Sequence, residues 1–277
     1  MLDAYKELTP VIYGENAIRY LTCDKKEQGM CFHTHWHDRM ELLRVTKGIL
    51  RLHVGEEQLL VHPGEVAVIS PRMIHGGFSD EQGVFYHTIM FDVEKFCNDT
   101  IASDKYLLPV CRSEIRFQPV SSVPAVISAV DHLLEHILSG EDQSPLFAIG
   151  AVYGILGALH QNCILDDAQL HKADERFRAI LEYIGSHYTE SISARDISSR
   201  FGYNEAYFCR RFKAVTGLNV MKYIQILRLE LAQKLLRETR EEIGIISWKC
   251  GFSDLSYFSN CFRKQFGITP TAFREMK

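Results

Sequence analysis

Residues 251–267 read GFSDLSYFSNCFRKQFG, and residues 201–217 read FGYNEAYFCRRFKAVTG. At an offset of 50 residues Asn204 matches Asp254, Tyr207 matches Tyr257, Phe208 matches Phe258, Phe212 matches Phe262, Lys213 matches Arg263 and Gly217 matches Gly267. Two copies do not make a solenoid, which needs at least about three units. Each copy has an apolar helix, a glycine turn (Gly202; Gly251), a capping residue (Asn204; Asp254) and a second helix. The cap side chain accepts from an otherwise unpaired backbone N–H and so fixes where that second helix starts. This is the layout of a helix-turn-helix, whose second helix lies in the DNA major groove. Burying Phe208 and Phe212 at i, i+4 leaves Ala206, Cys209, Arg210 and Lys213 on other faces. Burying Phe258 and Phe262 in the same way exposes Leu255, Ser256, Ser259 and Asn260, with Arg263 at the helix end. The helix NVMKYIQILRLELAQKLLRE (219–238) joins the copies, and a separation of about 34 Å would set both second helices in successive major-groove turns.

Working outward, everything from Asp174 reads as helix, and the charge changes there. Residues 1–173 hold 14 Lys+Arg against 23 Asp+Glu, whereas residues 174–277 hold 17 against 12. A basic C-terminal third suits a polyanion, because phosphate contacts need Lys and Arg. Residues 10–95 have the pattern of short strands, broken at VGEE, HPGE, SPRM and SDEQG, which predicts a small antiparallel barrel or sandwich. The period then changes. Val126, Val130, Leu133, Leu134 and Ile137 recur at spacings of three and four, which predicts a helix from about Ala125, and a second begins near Ser144-Pro145. The apolar faces of this pair (121–163) are to be buried on the barrel or against a second copy of the chain. Residues 164–173 read as a polar linker.

The eight cysteines have no CxxC pair and read as reduced, mostly buried thiols. The N-terminus lacks the basic start and apolar run of a signal peptide, and no window has the apolar length of about 20 residues that a membrane span needs. A cytoplasmic protein with no membrane partner is expected.

The C-terminal third resembles the DNA-binding domain of AraC/XylS-type transcription regulators. The resemblance rests on Arg228, Leu229, Ala232 and Leu236, then Gly251-Phe252, Tyr257-Phe258, Phe262, and Gly267-x-Thr269-Pro270-x-x-Phe273-Arg274. It implies base contacts at Ala206, Cys209, Arg210, Leu255, Ser256, Ser259 and Asn260. Arg210 has the strongest case for a base or phosphate contact, and Lys213 and Arg263 suit phosphate anchors, which position without specifying. Asn260 stands where the family commonly has arginine, and asparagine suits adenine. Ser247 replaces the family's usual alanine.

The N-terminal part resembles a cupin. Gly29, His35-Trp36-His37, Glu41 and Gly48 fit its first motif, and Gly64, Pro71 and His75 make a partial second one that lacks the asparagine expected after the histidine. The combined resemblance implies an α+β multidomain regulator. Residues 1–120 would form a cupin-like antiparallel β-barrel that senses an effector, and 121–163 a helical pair for homodimerisation. Residues 174–277 would form an all-α domain with two helix-turn-helix motifs. Double-stranded DNA, a small-molecule effector such as a sugar or carboxylate, a second copy and RNA polymerase are the implied partners. The expected effector contacts are His35, His37, Glu41, His75 and His87. His35 and His37 alternate on one strand, and with Glu41 and His75 they are donors that suit Zn, Fe, Mn or Ni, although regulators of this kind often keep the pattern around a metal-free ligand. No cofactor is therefore expected. Two rival readings remain. One is a metal-dependent cupin oxygenase or isomerase with an accessory helical domain; the other is a constitutive regulator with a vestigial barrel.

Overall fold

The computed structural model describes residues 18–98, 100–139, 145–165 and 170–275, and the chain divides into two compact units between Arg178 and Ala179. The N-terminal unit opens with β1 (Ile18–Lys25), β2 (Gly29–His35), β3 (Met40–Val54), β4 (Glu57–Val61), β5 (Val66–Ile69) and β6 (His75–Phe91). A 3-10 turn (Val93–Phe96), a π turn (Ser103–Leu107), α1 (Leu108–Cys111), β7 (Arg116–Phe117) and β8 (Val120–Ser121) follow. The unit continues with α2 (Pro124–Ser139), α3 (Pro145–Asn162) and β9 (Ile164–Leu165).

The long strands β3 and β6 pair antiparallel along their lengths. β1 takes the other edge of β6 at Val84–Phe91 and β2 takes it at His75–Ser79. β5 likewise takes the other edge of β3 at Glu41–Arg44, and β4 takes it at Leu50–Val54. One seven-stranded sheet is thus folded over into two halves, each using one half of both long strands. The fold-over falls where the β3–β6 register shifts, around Val45–Leu50. There Gly48 has φ +68°, and a Cβ on it would lie 2.0 Å from the Gly83 carbonyl oxygen. Only glycine admits both that dihedral and that approach.

The expected antiparallel β fold is present, its ladder open among the described residues. One expectation is corrected: SDEQG, read as a break between strands, is a bend inside β6, because bulges kink a strand without ending its pairing.

Period-two alternation separates two apolar layers. Leu43, Val45, Leu50, Leu52, Ala67, Ile69 and Tyr86 face the interior of the folded sheet. Met40, Leu42, Val66, Val68, Ile89 and Phe91 face outward, under Val126, Val130 and Leu133 of α2 and Val152, Ile155 and Leu159 of α3. Each such side chain contributes roughly 1.5–3 kcal/mol by leaving water. Arg44 of β3 adds a bidentate pair to Asp131 of α2, at 2.7 and 2.9 Å. The inner faces of both helices are therefore used on the sheet, the first of the two expected alternatives.

The C-terminal unit contains the later part of α4 (Leu170–His187), then α5 (Ala194–Arg200), α6 (Glu205–Thr216) and α7 (Val220–Glu238). It ends with α8 (Ile243–Lys249), α9 (Leu255–Phe266) and α10 (Pro270–Glu275). Leu229, Ala232 and Leu236 of α7 pack on Ile246, Phe258 and Phe262, and Tyr223 of α7 meets Phe212 edge-on at 5.3 Å. Arg228 donates to the carbonyls of Tyr188 and Glu190, at 2.6 and 2.8 Å. Of the linker expected at 164–173, Ile164–Leu165 is strand β9, residues 166–169 lie outside the described residues, and α4 begins at Leu170. All eight cysteines are free, as expected, but only Cys163 and Cys250 are buried, and the other six are half-buried. No helix among the described residues is long and apolar enough to cross a membrane.

Gly64 also has positive φ but nothing within 4 Å of a Cβ. Gly64→Ala should therefore cost about 1–2 kcal/mol from the dihedral alone. Gly48→Ala should cost more, on the order of 3 kcal/mol or above, through the added backbone clash. Urea unfolding of the two variants side by side checks this order.

Candidate functional site

Alternation along β3 turns Glu41 inward with Leu43 and Val45. Glu41 pairs with Met90, whereas His75, the first residue of β6, pairs with Val54. On a straight strand Glu41 and Val54 would stand roughly 40 Å apart. Folding the sheet over brings the His75 Nε2 to 3.0 Å from the Glu41 Oε2. The His37 Nε2 lies 3.0 Å from the same oxygen. His35 completes the group, with its ring centroid 4.4 Å from that of His75 and 5.4 Å from that of His37. One donor atom from each of the four residues falls within a 4.8 Å span. The expected convergence of these four is found, but by another route: β2 ends at His35, and His37 reaches in from the loop before β3.

Each of the three rings is held by its Nδ1. His35 donates to the His33 carbonyl at 2.9 Å, His37 to Arg39 at 3.0 Å and His75 to Met73 at 2.8 Å. A carbonyl only accepts, so each Nδ1 carries the proton, and in a neutral ring the Nε2 is then an acceptor. Burial, then the neighbouring rings of His75 and His37, push the His35 pKa well below its ordinary value, so this ring stays neutral. Burial alone would raise the Glu41 pKa, but the ring contacts to His37 and His75 outweigh it and hold the carboxyl below the usual range. Two acceptors cannot hydrogen-bond each other. The 3.0 Å contacts therefore require either protons on the His37 and His75 Nε2 atoms or one cation among all four groups. Three imidazoles and one carboxylate fit a divalent transition metal as a first set of ligands, and the Nδ1 contacts to carbonyls are the outer support such ligands use.

His87 stands elsewhere. β6 turns Tyr86 inward and His87 to the opposite face, where its Nδ1 is 2.8 Å from the Tyr20 hydroxyl and it pairs across from Arg44. The expected fifth effector contact is thus not part of the cluster.

The second surface is built by helix caps. Asn204 accepts from the N–H groups of Ala206 and Tyr207 at 3.0 and 3.3 Å, and Asp254 accepts from Tyr257. These caps start α6 and α9 in matching phase, and Phe208, Phe212, Phe258 and Phe262 are fully buried. Ala206, Arg210, Lys213, Leu255, Ser256, Asn260 and Arg263 are exposed, and Cys209 and Ser259 are half-exposed. Sequence reasoning passed over three exposed aromatics: Tyr207, Tyr257 and, on α8, Trp248 at 74% exposure. The tyrosines carried a readable signal, since they repeat at the 50-residue offset but fall outside the core phase of the phenylalanines.

Residues 25–156 match a family described as AraC-like ligand binding domain, and residues 197–276 match a helix-turn-helix domain. Over 143 residues the chain is 31% identical to the HTH-type transcriptional activator RhaS of Escherichia fergusonii. That match covers 51% of each, so the chain spans about half the length of this relative. Over 260 residues it is 24% identical to an uncharacterized HTH-type transcriptional regulator, YobQ of Bacillus subtilis, covering 94% of this chain and 95% of that one. Among solved structures ToxT from Vibrio cholerae covers 94% of this chain and 98% of its own, at 14% identity and a TM-score of 0.47, too loose a likeness to carry an argument.

The carboxyl of Glu41 is depressed in the folded state, so its contribution to stability is complete above the unfolded value of about 4.3 and is lost as pH falls below it. In metal-free protein Glu41→Gln should lower stability by about 1–3 kcal/mol at pH 7. That gap should shrink as pH falls below about 4.3, which urea titrations at several pH values will read.

Proposed function

Since the chain belongs to the AraC-type transcriptional regulators, with an AraC-like ligand-binding domain ahead of its helix-turn-helix domain, we propose a residue-level division of labour. His35, His37, Glu41 and His75 make the effector contact, and α6 and α9 read DNA. The observation that carries the first part is the convergence of four polar side chains inside an interior otherwise lined mostly by apolar side chains such as Leu43, Val45 and Ile69. Such a constellation suits a small polar ligand. Residues 1–120 are the sensing part and 174–277 the DNA-reading part. Ligand acts by binding one arrangement of the regulator more tightly than another. We read the sheet as a binding module, not an enzyme, in a cytoplasmic protein that meets RNA polymerase at promoters.

Residues 121–163 are assigned to homodimerisation. The outer face of α3 supports this: Leu146 is 76% and Tyr153 40% exposed, and Gly150, Gly154 and Gly157 between and beyond them have open space at the Cβ position. Glycines at that spacing let a second helix approach closely. Sedimentation of the full chain over a concentration series should show a dimer, and a monomer at all concentrations would remove the assignment.

On DNA selected from a random library, Arg210→Ala should cost about 1–3 kcal/mol and relax the preference at one position. Lys213→Ala should weaken all sequences alike and reduce the salt slope by about 1. Gel shifts at several salt concentrations separate the two, and weak binding indifferent to sequence in the unaltered chain would sink the DNA-reading assignment. A second reading is favoured by the two Nε2 atoms set on one carboxylate oxygen with a third imidazole beside them: a divalent metal is itself the ligand, or holds it. Zn²⁺ or Co²⁺ should then raise the melting temperature of the unaltered chain and leave His75→Ala unmoved. Equal shifts in both would exclude it.

A further inference from the structure

Away from the histidine cluster, a cavity of about 590 Å³ lies between α3 and the segment that carries the π turn. That volume falls within the range of roughly 300–1,000 Å³ usual for small-molecule sites. Two hydrogen bonds frame it. The Tyr153 hydroxyl donates to the Phe96 carbonyl at 2.6 Å, and the His160 Nε2 donates to the Tyr106 carbonyl at 2.8 Å. Seven residues separate the two donors, so they stand on one face of α3, about 10 Å apart along its axis. Leu156 and Gly157, between them on the helix, line the cavity, and so do Ser103, Tyr106 and Leu107 of the facing segment. The two bonds therefore act as struts that hold helix and turn apart at both ends of the space, and the cavity exists before anything enters it. A π turn as one wall agrees with this, since such turns are frequent at functional sites.

The lining decides the class of occupant. No Asp, Glu, Lys or Arg is part of it, and Lys105 is engaged over the Tyr106 ring at 5.1 Å. The small polar groups satisfy one another: Thr100 donates to the Asn98 side chain at 2.6 Å, and the Asn98 N–H donates to the Ser103 hydroxyl at 3.1 Å. Burial lowers the His160 pKa, so this ring is neutral at pH 7. With its Nε2 proton given to a carbonyl, its Nδ1 is left as an acceptor. Leu107 and Leu156 are buried, whereas Tyr106 and Tyr153 are exposed. The cavity thus has an apolar floor and aromatic edges, which suit a flat ring.

We propose that this cavity is a second small-molecule site, for an uncharged aromatic compound whose ring lies on Leu107 and Leu156 and whose hydroxyl meets the polar rim. Its chemistry is unlike that of the histidine cluster, where a carboxylate and imidazoles suit a polar ligand or a cation. The site does not depend on the effector reading of that cluster. Tyr153 and Gly157 also belong to the face of α3 assigned to homodimerisation, so an occupied cavity presents a different surface to a second copy. That consequence rests on the dimer reading, whereas the binding site does not.

Fluorescence titration of the full chain with naphthol at pH 7 checks the site, and saturable binding is expected. A Cβ on Gly157 meets nothing within 4 Å, so the helix accepts Gly157→Leu while the new side chain fills the cavity. Affinity in that variant should fall on the order of tenfold or more, because the ring and the leucine compete for one space. Gly154→Leu adds the same bulk to the same helix at a position equally open but outside the lining, and should bind naphthol as the unaltered chain does. Naphthoate, the same ring bearing a carboxylate, should bind on the order of tenfold more weakly, since nothing in the lining compensates a buried charge. Absence of saturable binding overturns the proposal, as does equal affinity in Gly157→Leu and the unaltered chain, or an equal loss in both glycine variants. Naphthoate binding as tightly as naphthol overturns the uncharged class. An affinity that falls as protein concentration rises would mean that a second copy occupies the cavity, which also overturns it.

Discussion

The pairing of β3 with β6, and the bend that both strands make together, is the constraint on which the N-terminal unit depends. The two strands hydrogen-bond along nearly their whole length, so neither can fold over unless the other does. The shared bend needs a backbone approach that excludes any Cβ at Gly48. Four further strands attach to the pair directly: β1 and β2 on one edge, β4 and β5 on the other. Folding a single ladder in this way creates an interior lined by both halves and leaves an outer apolar face for α2 and α3 to cover. It also brings the far ends of the strand pair together, which is how Glu41 meets His75.

A carboxylate and three imidazoles inside an apolar interior would be costly if left uncompensated, since a buried unpaired charge costs several kcal/mol. The arrangement compensates each group. Three backbone carbonyls hold the three Nδ1–H groups, and the carboxylate faces two ring nitrogens. The rings are thereby fixed in tautomer and direction before any ligand arrives. What remains is a point on which several ring nitrogens and one carboxylate converge. The hydrophobic layer around it raises the strength of every polar contact made inside.

The C-terminal unit solves a different problem by repetition. Two short helices, each started by a side-chain cap and pinned by two buried phenylalanines, present matching outer faces. The caps decide the phase of each helix, and the phase decides which residues face out. The scaffold for those faces is α7, whose buried stripe serves the core while Arg228 satisfies two carbonyls. The basic excess of this part of the chain supplies the sequence-independent attraction that phosphate binding needs.

Sequence alone determined the helix-turn-helix pair, the phase of Phe208, Phe212, Phe258 and Phe262, and the buried stripe of α2. These features are local: a cap, a turn and a 3.6-residue period are fixed by neighbours in the chain. It also singled out His35, His37, Glu41 and His75, because residue type and spacing are visible without coordinates. The tertiary structure decided the rest. The SDEQG stretch with Gly83 read as a strand break, since a turn and a bulge use the same residues and only the pairing partner tells them apart. The inward face of β6 takes Tyr86 and not His87, a choice of register that alternation alone leaves open. The approach of Glu41 to His75 depends on long-range strand pairing, and no local rule in the chain encodes it.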